Sequence, residues 1–176
     1  MPMEAGFLRS ALLAAFFTCS QWAAAQPCAA LEDLRSMFMK HSTFEQAEDS
    51  ERAAIGALQV TSESCRPYVE AHRWVSYCRA ADFGWNVAER YQRFKGGMAQ
   101  LDSLVGAHPG DDILCALRLS VSGTAPQFLG ADGDWKTDAQ AALRVSKTSF
   151  WSENPAFLDW MADLAVKIEA KTADAE

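Results

Sequence analysis

The segment NVAERYQRFKGGMAQLDSLVGAHPGDDILCALRLSVSGTAPQFLG, residues 86–130, decides the fold. Asn86 is a strong helix N-cap type, with Glu89 three residues later. Val87, Tyr91, Phe94, Met98, Leu101 and Val105 then recur at steps of four and three, one continuous apolar stripe of a helix. Burying such side chains contributes roughly 1.5–3 kcal/mol each before chain entropy is subtracted, so the stripe is expected to pack on neighbouring helices. The break His108-Pro109-Gly110-Asp111 stops this helix. Ile113, Leu114, Leu117 and Val121 mark the next one, and Thr124–Asp134 is a loop containing Ala125-Pro126-Gln127-Phe128-Leu129-Gly130. The stretch reads as helical hairpins stacked on one another.

The same reading extends outward. Leu31, Leu34, Met37 and Phe38 predict a first helix over 27–40, with Pro27 in its first turn. Ser42-Thr43-Phe44-Glu45 has a capping-box pattern and opens a second helix to about Val60. Its charged patch, Glu48 to Arg52, is read as a solvated face. Pro67 starts a third helix that continues to Asp82. Downstream, one helix spans Trp135–Val145, and Asn154-Pro155 caps a last one bearing Phe157, Met161, Leu164 and Ile168. Lys167 and Lys171 near its end suit the helix dipole. No alternating strand pattern occurs. The expectation is an all-α domain over 26–171, about seven helices as stacked antiparallel hairpins, with 172–176 frayed.

Residues 1–25 read as an export signal: Arg9 in a short n-region, the apolar run Ala11–Phe17, and Ala23-Ala24-Ala25 before a cut at Gln26. A lipid anchor at Cys19 is the rival, but Phe17-Thr18 before it lacks the small residue such a site wants. No other run is long and apolar enough for a membrane span. The net charge of −7 argues against nucleic acid, which needs a basic face. Cys28, Cys65, Cys78 and Cys115 remain after processing, an even set for an oxidising compartment. Of three connectivities, Cys28–Cys65 and Cys78–Cys115 are favoured, the first pair near helix starts and the second on leading helices of successive hairpins. A zinc site from Cys65, His72, Cys78 and Cys115 is the alternative, unsupported by any C-x-x-C pair.

Gly97, Leu101, Leu104 and Pro109 resemble the second helix and closing Pro of a tetratricopeptide repeat. A small residue there lets helices cross closely, and large apolar ones fill the groove. Trp74, Tyr77 and Cys78 stand roughly where the leading helix of that repeat expects Trp, Leu and Gly, but the interval from Cys78 to Gly97 is longer. The chain thus resembles a degenerate tetratricopeptide-like hairpin array over about Arg73–Val121. The segment Leu117–Asp138 is also similar to small exported bacterial helical proteins of no established activity. That similarity implies export and fold, and supplies no catalytic residue.

No nucleophile elbow, zinc-protease helix or phosphate loop is present. His41 and His108 sit beside helix ends, and His72 on the inner side of the third helix reads as a satisfied core group. Asp132, Asp134 and Asp138 read as a Gly/Asp turn rather than a calcium loop, which wants more ligands at alternate positions. Arg118 lies between Leu117 and Leu119 on a helix that should be buried, and needs a carboxylate: Glu89 or Asp138. A ligand-binding role is its alternative. Trp85, Trp135 and Trp151 fall in or beside loops, either as surface aromatics of a binding face or as covers for the ends of the core. The functional expectation is an exported, non-enzymatic helical module of the cell envelope that binds a protein or peptide, without cofactor or metal. The alternatives are a small inhibitor or immunity-type protein and an enzyme of unrecognised type.

Overall fold

A computed structural model describes residues 28–130, 134–148 and 151–173. The expected signal sequence and cut before Gln26, Asp132 and the last three residues of the expected frayed tail lie outside them. Seven α-helices are present: α1 (Ala29–Phe38), α2 (Phe44–Ala57), α3 (Arg66–Phe83), α4 (Val87–Ala107), α5 (Asp112–Ser122), α6 (Trp135–Val145) and α7 (Pro155–Ala173). A 3-10 turn, Gln127–Leu129, follows α5, and no strand occurs among the described residues. None of the described helices is long and apolar enough to cross a membrane.

Local chemistry explains the helix starts. Asn86 Oδ1 accepts from the backbone N–H groups of Ala88 and Glu89, at 3.0 and 3.3 Å. Asp111 does the same for Ile113 and Leu114, at 2.9 and 3.2 Å, directly after Gly110 turns the chain at φ +83°. The start of α2 differs from expectation by one residue. Thr43, not Ser42, is the N-cap, accepting from Gln46 N at 3.2 Å, while Gln46 Oε1 reaches back to Ser42 N at 2.8 Å. An amide can play the reciprocal role as well as Glu45 can.

Each helix packs on its chain neighbour, and the odd-numbered helices also pack on one another: α1 on α3, α3 on α5, α5 on α7. The centre is α5, whose residues from Leu114 to Ser122 are all buried. Around it Leu101, Leu117, Leu119, Trp135, Phe157, Met161 and Ile168 belong to one apolar core. A smaller cluster of Leu31, Leu34, Ala54 and Val69 joins α1, α2 and α3. Cys28 and Cys65, the N-cap residues of α1 and α3, stand at bonding distance beside it, with Cα atoms 5.8 Å apart. Closing that loop contributes about 2–4 kcal/mol.

Cys78 and Cys115 are both buried and unbonded, which corrects the second pairing. The Cys78 thiol turns toward α4, donating to the Phe94 carbonyl at 3.8 Å, whereas the Cys115 thiol meets Asp138 on α6. Two thiols facing different helices cannot join. With Cys65 in its own bond, the alternative zinc quartet loses a ligand.

Gly97 is where α4 closes on α3. A Cβ there would collide with Cys78 Sγ and lie 3.3 Å from both the Trp74 carbonyl and Tyr77 Cδ1. Gly97→Ala is therefore expected to lower the unfolding free energy by about 1–3 kcal/mol, read by urea denaturation, although alanine is the better helix former. A neutral or stabilising result would mean that the two helices can separate freely.

Candidate binding cleft

The apolar stripe of α4 is only partly covered. Phe94, Met98 and Leu101 are buried, but Val87 is 75% exposed and Tyr91 50%. The expectation that the stripe packs holds for its middle and fails at its start. The reason is where neighbouring elements end. α5 stops at Ser122, and the loop beyond it, with its single 3-10 turn, faces the first turns of α4 across an open space.

A cleft of about 190 Å³ results. Its walls are Cys78, Arg79, Ala81 and Asp82 of α3, Val87, Arg90, Tyr91 and Phe94 of α4, Val121 of α5, and Thr124, Ala125, Pro126, Phe128 and Leu129 of the loop beyond. An apolar cavity of roughly 150 Å³ already takes a benzene ring, so this one suits a single aromatic or branched side chain. Phe128 stands 85% exposed at its mouth. Trp85, in the nearby α3–α4 connector, is 93% exposed.

The walls are held by hydrogen bonds. Arg90 Nε donates to the Ala81 carbonyl at 2.6 Å, tying the first turns of α4 to the end of α3. Thr124 Oγ1 donates back to the Val121 carbonyl at 3.1 Å, and Leu129 N to the Pro126 carbonyl at 3.0 Å. Lys95 Nζ reaches the Leu129 carbonyl at 3.4 Å. Burial, with the charge of Asp82, pushes the Cys78 thiol up to about 12. It stays protonated and is no nucleophile at neutral pH.

The residues singled out in the sequence are distributed as follows. Arg118 forms a bidentate pair with Asp138, at 2.8 and 2.9 Å, and its Nη1 also meets Asp102 at 3.0 Å and Asp134 at 2.9 Å. Burial pulls this guanidinium down, yet the hydrogen bonds and charge of Asp138, with Asp102 and Asp134, hold it above its ordinary value. Burial pushes the Asp138 carboxyl up, and Arg118 draws it back only in part. Glu89 is not a partner; it pairs with Arg93 at 3.5 Å. Asp102 and Glu89 lie on one helix about 20 Å apart at 1.5 Å per residue, so Arg118 cannot serve both. The network joins α4, α5 and α6 and does not line the cleft.

Of the three loop tryptophans only Trp85 is a surface aromatic. Trp135 is 4% exposed and Trp151 fully buried. Trp151 stacks edge-on against Phe157 at 4.8 Å, and the Arg35 guanidinium lies over its ring. Arg35 also pairs with Glu153, locking α1 to the start of α7. The sequence reading missed this arginine. A cation one step from Leu34 on the apolar side of α1 was the available signal. His72 is buried: its Nδ1 is 2.8 Å from the Tyr68 carbonyl. Burial, with the charge of Arg35, lowers it to about 4. Burial and Arg79 lower His41 to about 4 as well. His108 is the exposed C-cap of α4. Among the described residues, no three His, Cys, Asp or Glu side chains gather to hold a metal.

Comparison with protein-family models, curated proteins and solved structures returns no match. Function is therefore read from the cleft.

Proposed function

We propose that this protein is a non-enzymatic, protein- or peptide-binding helical module that takes a bulky apolar side chain of its partner into the α3–α4 cleft. One observation carries the reading: an apolar stripe that should be covered is left open at Val87 and Tyr91, beside a ring-sized cavity. A cluster of exposed aromatics around one pocket is the usual anatomy of an anchor site. The protonated Cys78 thiol and the neutral, buried His72 support a binding role over a catalytic one. Packing among the odd-numbered helices supports reading the fold as stacked hairpins. The Cys28–Cys65 pair supports residence in an oxidising compartment, consistent with an exported protein of the cell envelope.

Random short peptides displayed on phage, panned against the immobilised full chain, provide the test. Val87→Glu serves as the counter-target, since Val87 is exposed and its change should leave the melting temperature unaltered. Sequences sharing one large apolar residue, and lost on the variant, are the expected result. No enrichment over a bare surface, or enrichment indifferent to Val87→Glu, would rule the cleft out as a binding site.

A further inference from the structure

We infer that the segment bound in the cleft is acidic: a bulky apolar anchor with Asp or Glu on both sides of it. This rests on the cleft being the binding site. At helical spacing Arg90 and Lys95 fall on opposite sides of the stripe that Val87, Tyr91 and Phe94 form. Arg90 borders α3 through the Ala81 carbonyl, and Lys95 borders the loop through the Leu129 carbonyl. Both are exposed, and neither makes an ion pair among the described residues. Their neighbours are neutralised: Arg79 pairs with Asp82 at 2.6 Å, and Arg93 with Glu48 at 3.2 Å.

Arg90 is also held in place. Its Cγ would be 3.0 Å from a Cβ on Gly84, so glycine gives the stem room to lie along the wall while Nε is anchored. A positioned cation on each side of an apolar hole favours an occupant with the reverse pattern and penalises a basic one. The net charge of −7 opposes an acidic partner at long range. Salt screens that repulsion beyond about 8 Å, so the two rim cations dominate at contact.

The test compares peptide pools selected by the unaltered chain and by the double variant Arg90→Glu/Lys95→Glu. Acidic flanks around the anchor are expected with the unaltered chain, and basic flanks with the variant. A representative acidic peptide should bind the variant roughly 2- to 30-fold more weakly in fluorescence anisotropy, the range for two rim ion pairs. Lys95→Glu alone leaves the Arg90 anchor in place and keeps the comparison interpretable if the double variant does not fold. An apolar anchor with neutral or basic flanks, unchanged by charge reversal, overturns the acidic partner and leaves the cleft standing. Absence of any shared anchor removes the cleft itself. Binding to phosphatidylglycerol vesicles, lost on Lys95→Glu and unaccompanied by peptide enrichment, assigns the cations to a lipid surface and overturns the inference.

Discussion

Arg118→Met lowers the unfolding free energy by about 3–5 kcal/mol, the range for removing one partner of a buried ion pair. For a domain of this size that is a fall in melting temperature of about 6–20 °C, measurable by circular dichroism. Asp138 is 1% exposed and directs both carboxylate oxygens at the guanidinium. Without Arg118 it keeps the Cys115 thiol as a partner, with the Asp134 and Asp102 carboxylates close by. Arg118→Met/Asp138→Leu removes both charges and should recover most of the loss, because two apolar groups satisfy each other where one orphaned charge cannot. Equal destabilisation in the single and double variants would show that the side chains matter for packing volume and not as a pair.

Acidification exposes the second large effect, through His72. The Tyr68 carbonyl can only accept, so Nδ1 carries the proton and Nε2 presents a bare lone pair in the core. No partner meets Nε2 among the described residues. Protonating it places an unpartnered N–H and a second cation near Arg35. The folded value is therefore about 4 against 6.5 unfolded, lowered by burial first and by Arg35 second. A lowered folded value stabilises above pH 6.5, and that stability is lost as pH falls from 6.5 toward 4. The loss is about 3 kcal/mol at 1.36 kcal/mol per unit. Asp138 acts in the opposite sense: burial raises its carboxyl despite Arg118, so it adds stability as pH falls toward its unfolded value. Comparing the chain with His72→Leu isolates the histidine. Urea unfolding at neutral pH and near pH 4 should show the variant losing about 3 kcal/mol less than the unaltered chain. Parallel losses would place the acid sensitivity elsewhere, His41 being the next group to replace.

The candidate site was half legible. Its wall residues were visible as a stripe from Val87 to Val105, and its mouth as the Pro126–Gly130 loop. That they form a cleft was not, because periodicity says which face of a helix is apolar and nothing about what lies across from it. Trp85 and Trp151 show the same limit: both are tryptophans in connectors, one 93% exposed and one fully buried. Phe157 from α7 and Arg35 from α1 meet at Trp151, remote segments that no local pattern connects.

What the sequence determined by itself is whatever depends on neighbours within about four residues. The caps at Asn86 and Asp111, the stop at Pro109-Gly110, the apolar faces and hence the all-α class are of this kind. So is the requirement that Arg118, set among leucines, find a carboxylate. Only the tertiary structure decided that this carboxylate is Asp138, that Cys78 and Cys115 face different helices, and that a cleft stays open between the start of α4 and the end of α5. Those outcomes depend on where separate helices end relative to one another. That is set by the packing of the whole core around α5, and it left Val87 and Tyr91 exposed.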